Sequence, residues 1–176
     1  MGHINSRRKG AKAERVAAKM LQDWTGRTFS KTPASGGLQW KKSNVAGDVV
    51  CTKEGHYFPF CVEVKARAKV DFNQLMQMNL KHTDILEFWT QAKRDAARVN
   101  KVPIVMMRYN GLPKEFYFII LGNSFVKELL LKWPEPYMHF VSETNNLWIF
   151  RSTEFFKLPY KELREIAKCY GKKKKG

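Results

Sequence analysis

Three side chains in the stretch GDVVCTKEGHYFPFCVEVK, residues 47–65, have the types and spacing to do chemistry: Asp48, Glu63 and Lys65. The chain carries 32 Lys+Arg against 16 Asp+Glu, so two carboxylates inside a run of β-forming apolar residues call for a reason. KEGH, residues 53–56, reads as a turn in which Gly55 can take a positive φ. Folding the chain about the Gly55–His56 bond sets Asp48 opposite Glu63, with Cβ atoms about 4.5–5.5 Å apart. Alternation along the strand puts Lys65 on the side of Glu63. Val49, Cys51, Phe60, Val62 and Val64 gather on the opposite, uniformly apolar side and belong in a core. Pro59 cannot donate to a ladder and is where the register could slip.

Carboxylates this close repel one another and retain protons unless a cation lies between them. Oxygen ligands suit Mg²⁺, for which Mn²⁺ can substitute. A lysine beside such an ion can orient or deprotonate an attacking water and help to neutralise a pentavalent phosphate. The constellation therefore predicts metal-assisted phosphodiester hydrolysis. In the plainer alternative Asp48 only starts a strand, and Glu63 and Lys65 form a surface cross-strand pair. The net charge of +16 and the basic segment upstream favour the first reading.

The elements that must hold these residues follow from periodicity. Residues 7–24, RRKGAKAERVAAKMLQDW, read as an amphipathic helix. Ala13, Val16, Ala17, Met20, Leu21 and Trp24 lie on its apolar stripe, Arg8, Lys12, Arg15 and Lys19 lie opposite, and Gly26 caps the end. KTPASGGLQWKKSN is a basic loop containing Lys31, Ser35, Lys41 and Lys42. DILEFWTQAKRDAARVN is a second helix with Ile85, Phe88, Trp89, Ala92, Ala96 and Val99 inward. VPIVMMRY and EFYFIIL are strands around a turn at NGLP. NSFVKELLLKW is a short helix capped by Asn123 or Ser124, residues 134–158 hold short strands, and YKELREIAKCY is a last helix. FNQLMQMNLKHT has no clear period. The order predicts an α/β fold with a mixed central sheet. The 176 residues suit a single domain, with a core at about 7–121, a C-terminal extension at about 122–171 and a basic tail at 172–176.

So large a positive excess points to a polyanionic partner, nucleic acid before membrane. Arg7, Arg8, Lys9, Lys12, Arg15, Lys31, Lys41, Lys42 and Arg67 are the cations nearest the carboxylate motif. No apolar run approaches the roughly 18 residues of a spanning helix, and no apolar segment follows the basic N-terminus as in a signal peptide. A cytoplasmic protein is the expectation. Three cysteines without a C-x-x-C spacing argue against a disulfide framework or zinc knuckle, and the four histidines are scattered.

GD, fourteen residues, then EVK resembles the core of the PD-(D/E)XK nuclease superfamily. RRKGAKAERVAAKML followed by SGG, GDVV and VEVKAR resembles the archaeal-type Holliday-junction resolvases and their phage-encoded relatives. FWTQAKRDAARVNKVPIVMMRYN is similar to the helix and strand that follow the core motif in the phage proteins. The resemblance covers roughly residues 7–110. It implies a restriction-endonuclease-like core, and a homodimer that cuts branched double-stranded DNA such as a four-way junction with Mg²⁺. It further implies that Glu14 completes a metal site made by Asp48, Glu63 and the carbonyl of Val64, and that Lys65 is the catalytic lysine. Gln91 matches a helix glutamine, with a solvated surface position as its alternative. Arg15 and Lys31 fall near phosphate-contacting positions, and Ser35 lies in the matching loop, where a plain loop serine is the alternative. Gly47 stands where the superfamily usually has proline. The same core serves restriction-like and repair endonucleases, and a DNA-binding module with a dead site is the remaining alternative.

Overall fold

The computed structural model describes residues 2–32, 45–52, 57–72, 83–130, 138–141 and 146–173. The first helix, α1 (Gly2–Thr25), leads into three strands: β1 (Phe29–Lys31), β2 (Val49–Cys51) and β3 (Phe60–Arg67). A second helix, α2 (Asp84–Arg98), carries the chain to β4 (Val102–Tyr109) and β5 (Phe118–Gly122). Then come α3 (Asn123–Leu130), β6 (Met138–Val141), β7 (Asn146–Arg151), α4 (Ser152–Phe155) and α5 (Tyr160–Lys173). The strands form one mixed sheet in the order β1-β2-β3-β4-β5-β7-β6. Only β3 and β4 run parallel, joined across α2, while every other pairing is antiparallel. The expected α/β fold with a mixed sheet is what forms, and it is consistent with the restriction-endonuclease-like architecture.

The sheet has two unlike faces because side chains alternate along its strands. One face, with Val49, Phe60, Val62, Val64, Ile104, Met106 and Ile119, packs against α1, α3, α4 and α5. The other, with Val105, Met107, Phe118, Ile120 and Ile149, packs against Ile85, Phe88, Trp89 and Ala92 of α2. Every residue expected on the inner side of α2 is buried. The helix is well delimited. Thr83 accepts at its N-cap from the Leu86 N–H at 3.2 Å. At the other end Asn100 adopts φ 52° while Lys101 and Asn100 donate to the Ala96 and Ala97 carbonyls, a Schellman cap.

Several expectations need correction. α1 begins at Gly2 rather than near residue 7, because the apolar stripe marks only the part of the helix lying on the sheet; none of residues 7–12 is buried. β1 was not anticipated: it is three residues long and buries Phe29 alone, too little pattern to read. Asn123, one of the two expected caps, is the first residue of α3, and its Oδ1 accepts from Trp148 at 3.0 Å. The three cysteines are free thiols. The 53–56 turn lies outside the described residues, but the register expected from it is found. Val49 pairs with Val62, and Pro59 precedes β3 without shifting it; Asp48 itself lies just outside the paired residues, its N–H on the Val62 carbonyl. No helix among the described residues is long and apolar enough to cross a membrane.

Gly47 is fixed by its surroundings. Its φ is +90°, and a Cβ there would lie 2.6 Å from the Val62 carbonyl oxygen. Proline, locked near −65°, cannot take that conformation, which accounts for glycine before the first acid. Thr32 tightens the same bend, donating through Oγ1 to the Gly47 carbonyl at 2.7 Å and through N–H to the Asp48 carbonyl at 2.8 Å. Gly47→Ala is expected to destabilise the protein by about 2 kcal/mol and to displace Asp48. A thermal melt and a cleavage assay, compared with Ala46→Gly as a neighbouring control, check both effects.

Candidate active site

At the end of β2 the backbone bends out of the ladder. The Asp48 N–H donates to the Val62 carbonyl at 2.8 Å, and its carboxylate accepts from the Val64 N–H at 2.8 Å. The carboxylate thus occupies the place of the next strand residue on the exposed edge of β3. The carbonyl of Val64 faces this same edge, since N–H and C=O of one strand residue point the same way.

Glu63 and Lys65 project from the other side of β3, beneath α2. Glu63 is only 2% exposed. Its Oε1 accepts from Lys65 Nζ at 2.5 Å and from Gln91 Nε2 at 2.6 Å, while Lys65 also donates to Gln91 Oε1 at 3.1 Å. Gln91 therefore closes a three-membered network and is not a solvated surface residue. Phe88 supplies an aromatic wall, its ring 5.7 Å from Lys65 Nζ and 4.6 Å from the Arg67 guanidinium.

Burial is the largest influence on the electrostatics of the site. It pushes Glu63 above the ordinary carboxylate range, and the charge of Asp48 adds to the effect against the pull of Lys65. Burial likewise raises Asp48, opposed by the Val64 N–H and Lys65. Each carboxyl group is raised only in part, since the Val64 N–H and Lys65 oppose the rise at Asp48 and Lys65 opposes it at Glu63. Glu14 approaches from α1. Burial and the field of Asp48 raise it, and Lys31, Arg15 and Lys65 oppose the rise. Its local partner is tertiary: Lys31 Nζ lies 3.9 Å from Oε2.

The donor chemistry of Asp48, Glu63 and the Val64 carbonyl fits a hard divalent ion that keeps several waters. Among the described residues, no group of three or more His, Cys, Asp or Glu side chains converges to hold an ion. Glu14 reaches the site through its field on Asp48 rather than by joining the hairpin pair. One acid escaped sequence reading. Asp95, one turn beyond Gln91 on α2, raises both Asp48 and Glu63, and only its i+4 spacing from Gln91 could have flagged it.

The expected DNA contacts divide by position. Arg7, Arg8, Lys9, Lys12 and Arg15 are exposed along α1. Lys31 pairs with Glu14, and Arg67, also exposed, has Nε 3.9 Å from Asp84. Ser35, Lys41 and Lys42 lie outside the described residues.

A protein family described as "Phage putative PDDEXK endonuclease" matches residues 5–168, nearly the whole chain and all the site residues above. The chain belongs to this family. Membership marks it as a nuclease of the phage PDDEXK type. The PDDEXK chain is also 24% identical over 106 residues to Protein D14 of Escherichia phage T5. That match covers 60% of this chain and 65% of the T5 protein, so the chain spans less than two thirds of its relative's length.

Proposed function

We propose that the protein is a Mg²⁺-dependent endodeoxyribonuclease that cuts branched DNA, including four-way junctions, as a homodimer in the host cytoplasm. The supporting observation is the buried Glu63 carboxylate, held by Lys65 and Gln91, with the Asp48 carboxylate beside it on the Val64 N–H. So costly an arrangement makes sense as a cation site. Mg²⁺ held by Asp48, Glu63 and the Val64 carbonyl would supply charge neutralisation at the scissile phosphate and a more acidic attacking water.

The chain's own residues do the positioning. Asp48 is aimed by the Val64 N–H and the Gly47 bend. Glu63 is aimed by Gln91 and Lys65, and the Lys65 ammonium can donate to water or phosphate once Glu63 turns to other partners. The exposed cations of α1 offer counter-charge to a DNA backbone. A homodimer follows from function, since two symmetric cuts in a junction need two sites.

The test is to incubate the protein with a four-way junction, a linear duplex and a single strand of matched sequence, with and without Mg²⁺. Paired symmetric nicks confined to the junction are expected. Equal cutting of the linear duplex would indicate a general PD-(D/E)XK endonuclease, and no cutting of any substrate would sink the enzymatic reading.

Glu14 is predicted to act on water or on a second ion rather than as a main ligand. Outer-shell changes cost roughly 10–100-fold in affinity or activity. Glu14→Gln should therefore cut slowly, with partial recovery at higher Mg²⁺ or Mn²⁺. A metal titration of cleavage rate checks this. Wild-type activity at low Mg²⁺ would return Glu14 to a purely structural pairing with Lys31.

A further inference from the structure

Beside the site, the first half of α1 overhangs the ends of β3 and β4 and faces the β4–β5 turn. Between them lies a recess of about 540 Å³. Its cations are Lys9, Lys12, Arg67 and Lys114, with Tyr109 and Asn110 beside them, and among the described residues no Asp or Glu lines it. Arg108 also borders it but is engaged elsewhere. Its guanidinium donates to the Leu112 and Lys114 carbonyls and lies 5.4 Å from the Tyr117 ring, bracing the turn. The turn is therefore a stiff wall that presents Lys114 outward.

We propose that this recess takes a single-stranded segment of the DNA substrate. The proposal deepens the nuclease reading and rests on it for the identity of the polyanion. Lys9, Lys12 and Lys114 match a sugar–phosphate backbone, while Arg67 is held by Asp84 and the Phe88 ring. Tyr109, stacked on Phe118 with ring centroids 6.2 Å apart and planes within 13°, borders the recess from the α2 side of the sheet. Size decides between strand and duplex. A recess of 540 Å³ holds roughly one or two unstacked nucleotides, whereas a duplex keeps its bases inside and presents a convex backbone that suits the outer side of α1. Position connects recess and site. Ala66 and Arg67 line it and directly follow Lys65, which sets the recess at the end of β3, while Lys65 itself projects to the α2 side. Lys12 stands two residues before Glu14.

The test needs no cleavage. Fluorescence anisotropy, in EDTA and across a salt series, compares a duplex bearing a single-stranded arm with a blunt duplex of the same sequence. Lys12→Ala/Lys114→Ala removes two exposed cations from the recess. Its log–log salt slope on the armed substrate is expected to fall by about 1.4, two contacts at roughly 0.7 each, and to stay unchanged on the blunt one. Lys157→Ala/Lys168→Ala removes equal charge elsewhere and should leave both slopes alone. Asn110→Asp, at an exposed turn position, should weaken binding of the armed substrate only. An unchanged slope on the armed substrate, an equal fall on both substrates, or an equal effect of the control pair would overturn the proposal. Failure of the junction assay with a selective slope change here would reject the nuclease reading alone.

Discussion

Asp48→Asn and Glu63→Gln are each expected to lower cleavage by more than about 10²-fold, beyond the range of outer-shell substitutions, while DNA affinity stays constant or rises. Both carboxylates lie where a phosphate must approach, so each repels the substrate unless a cation intervenes, and losing one charge favours docking. The amides preserve shape. An amide at position 48 can still accept from the Val64 N–H, and one at position 63 can still meet Gln91, so the fold is expected to survive. A divalent ion should raise the thermal midpoint of the wild type and not that of either variant, a readout independent of turnover. Single-turnover cleavage and anisotropy on one junction check the rest. Near-native cutting by either variant in Mg²⁺ would mean that the site is elsewhere.

Lys65→Ala is expected to reduce cleavage by about 10²-fold or more and to change how the metal-free protein responds to pH. Glu63 in the folded state is raised to about 7, against about 4.3 for an ordinary glutamate. The native protein therefore binds this proton more tightly than the unfolded chain does. The associated stability is complete below the ordinary value and is lost as pH rises through about 7, by an amount on the order of 2 kcal/mol. Lys65 opposes the rise, so removing it moves the loss to higher pH and deepens it. Glu63→Gln flattens the profile, apart from the smaller contribution of Asp48, which has the same sign. Thermal midpoints in EDTA between about pH 5 and about 8 test this. A midpoint of the wild type that increased across that interval would contradict the buried, cation-free carboxyl pair.

The hairpin was legible because its alternation was strict. Val49, Phe60, Val62 and Val64 leave one register in which all face inward, and that register brings Asp48 beside Glu63. α2 was legible from its helical period, with six apolar positions on one side. Less of the network around Glu63 could be read. Nothing local to Gln91 shows that a buried carboxylate lies beneath it, since β3 and α2 meet only through the crossover to β4. Asp95 was hidden in the same way, its field reaching residues 32 and 47 positions earlier. Short elements such as β1 and α4 bury too few residues to leave a pattern. Their existence depends on neighbours that the sequence alone does not place.

Two bonds described by the structure bear on where this chain could be shortened. The Tyr117 hydroxyl donates to the Ala13 carbonyl at 2.8 Å, and the Trp24 indole donates to the Leu158 carbonyl at 2.8 Å. Trp24 also meets the rings of Phe155, Phe156 and Tyr160 within 5.6 Å. The helix bearing Glu14 is thus moored at its middle and its end by residues more than a hundred positions later. A fragment stopped after β5 would keep every motif residue and lose the second mooring, leaving the Trp24 end of α1 without its aromatic seat. Such a trimmed chain would read as a complete nuclease on paper, yet its Glu14 helix would be held at the middle by Tyr117 and left loose at the Trp24 end.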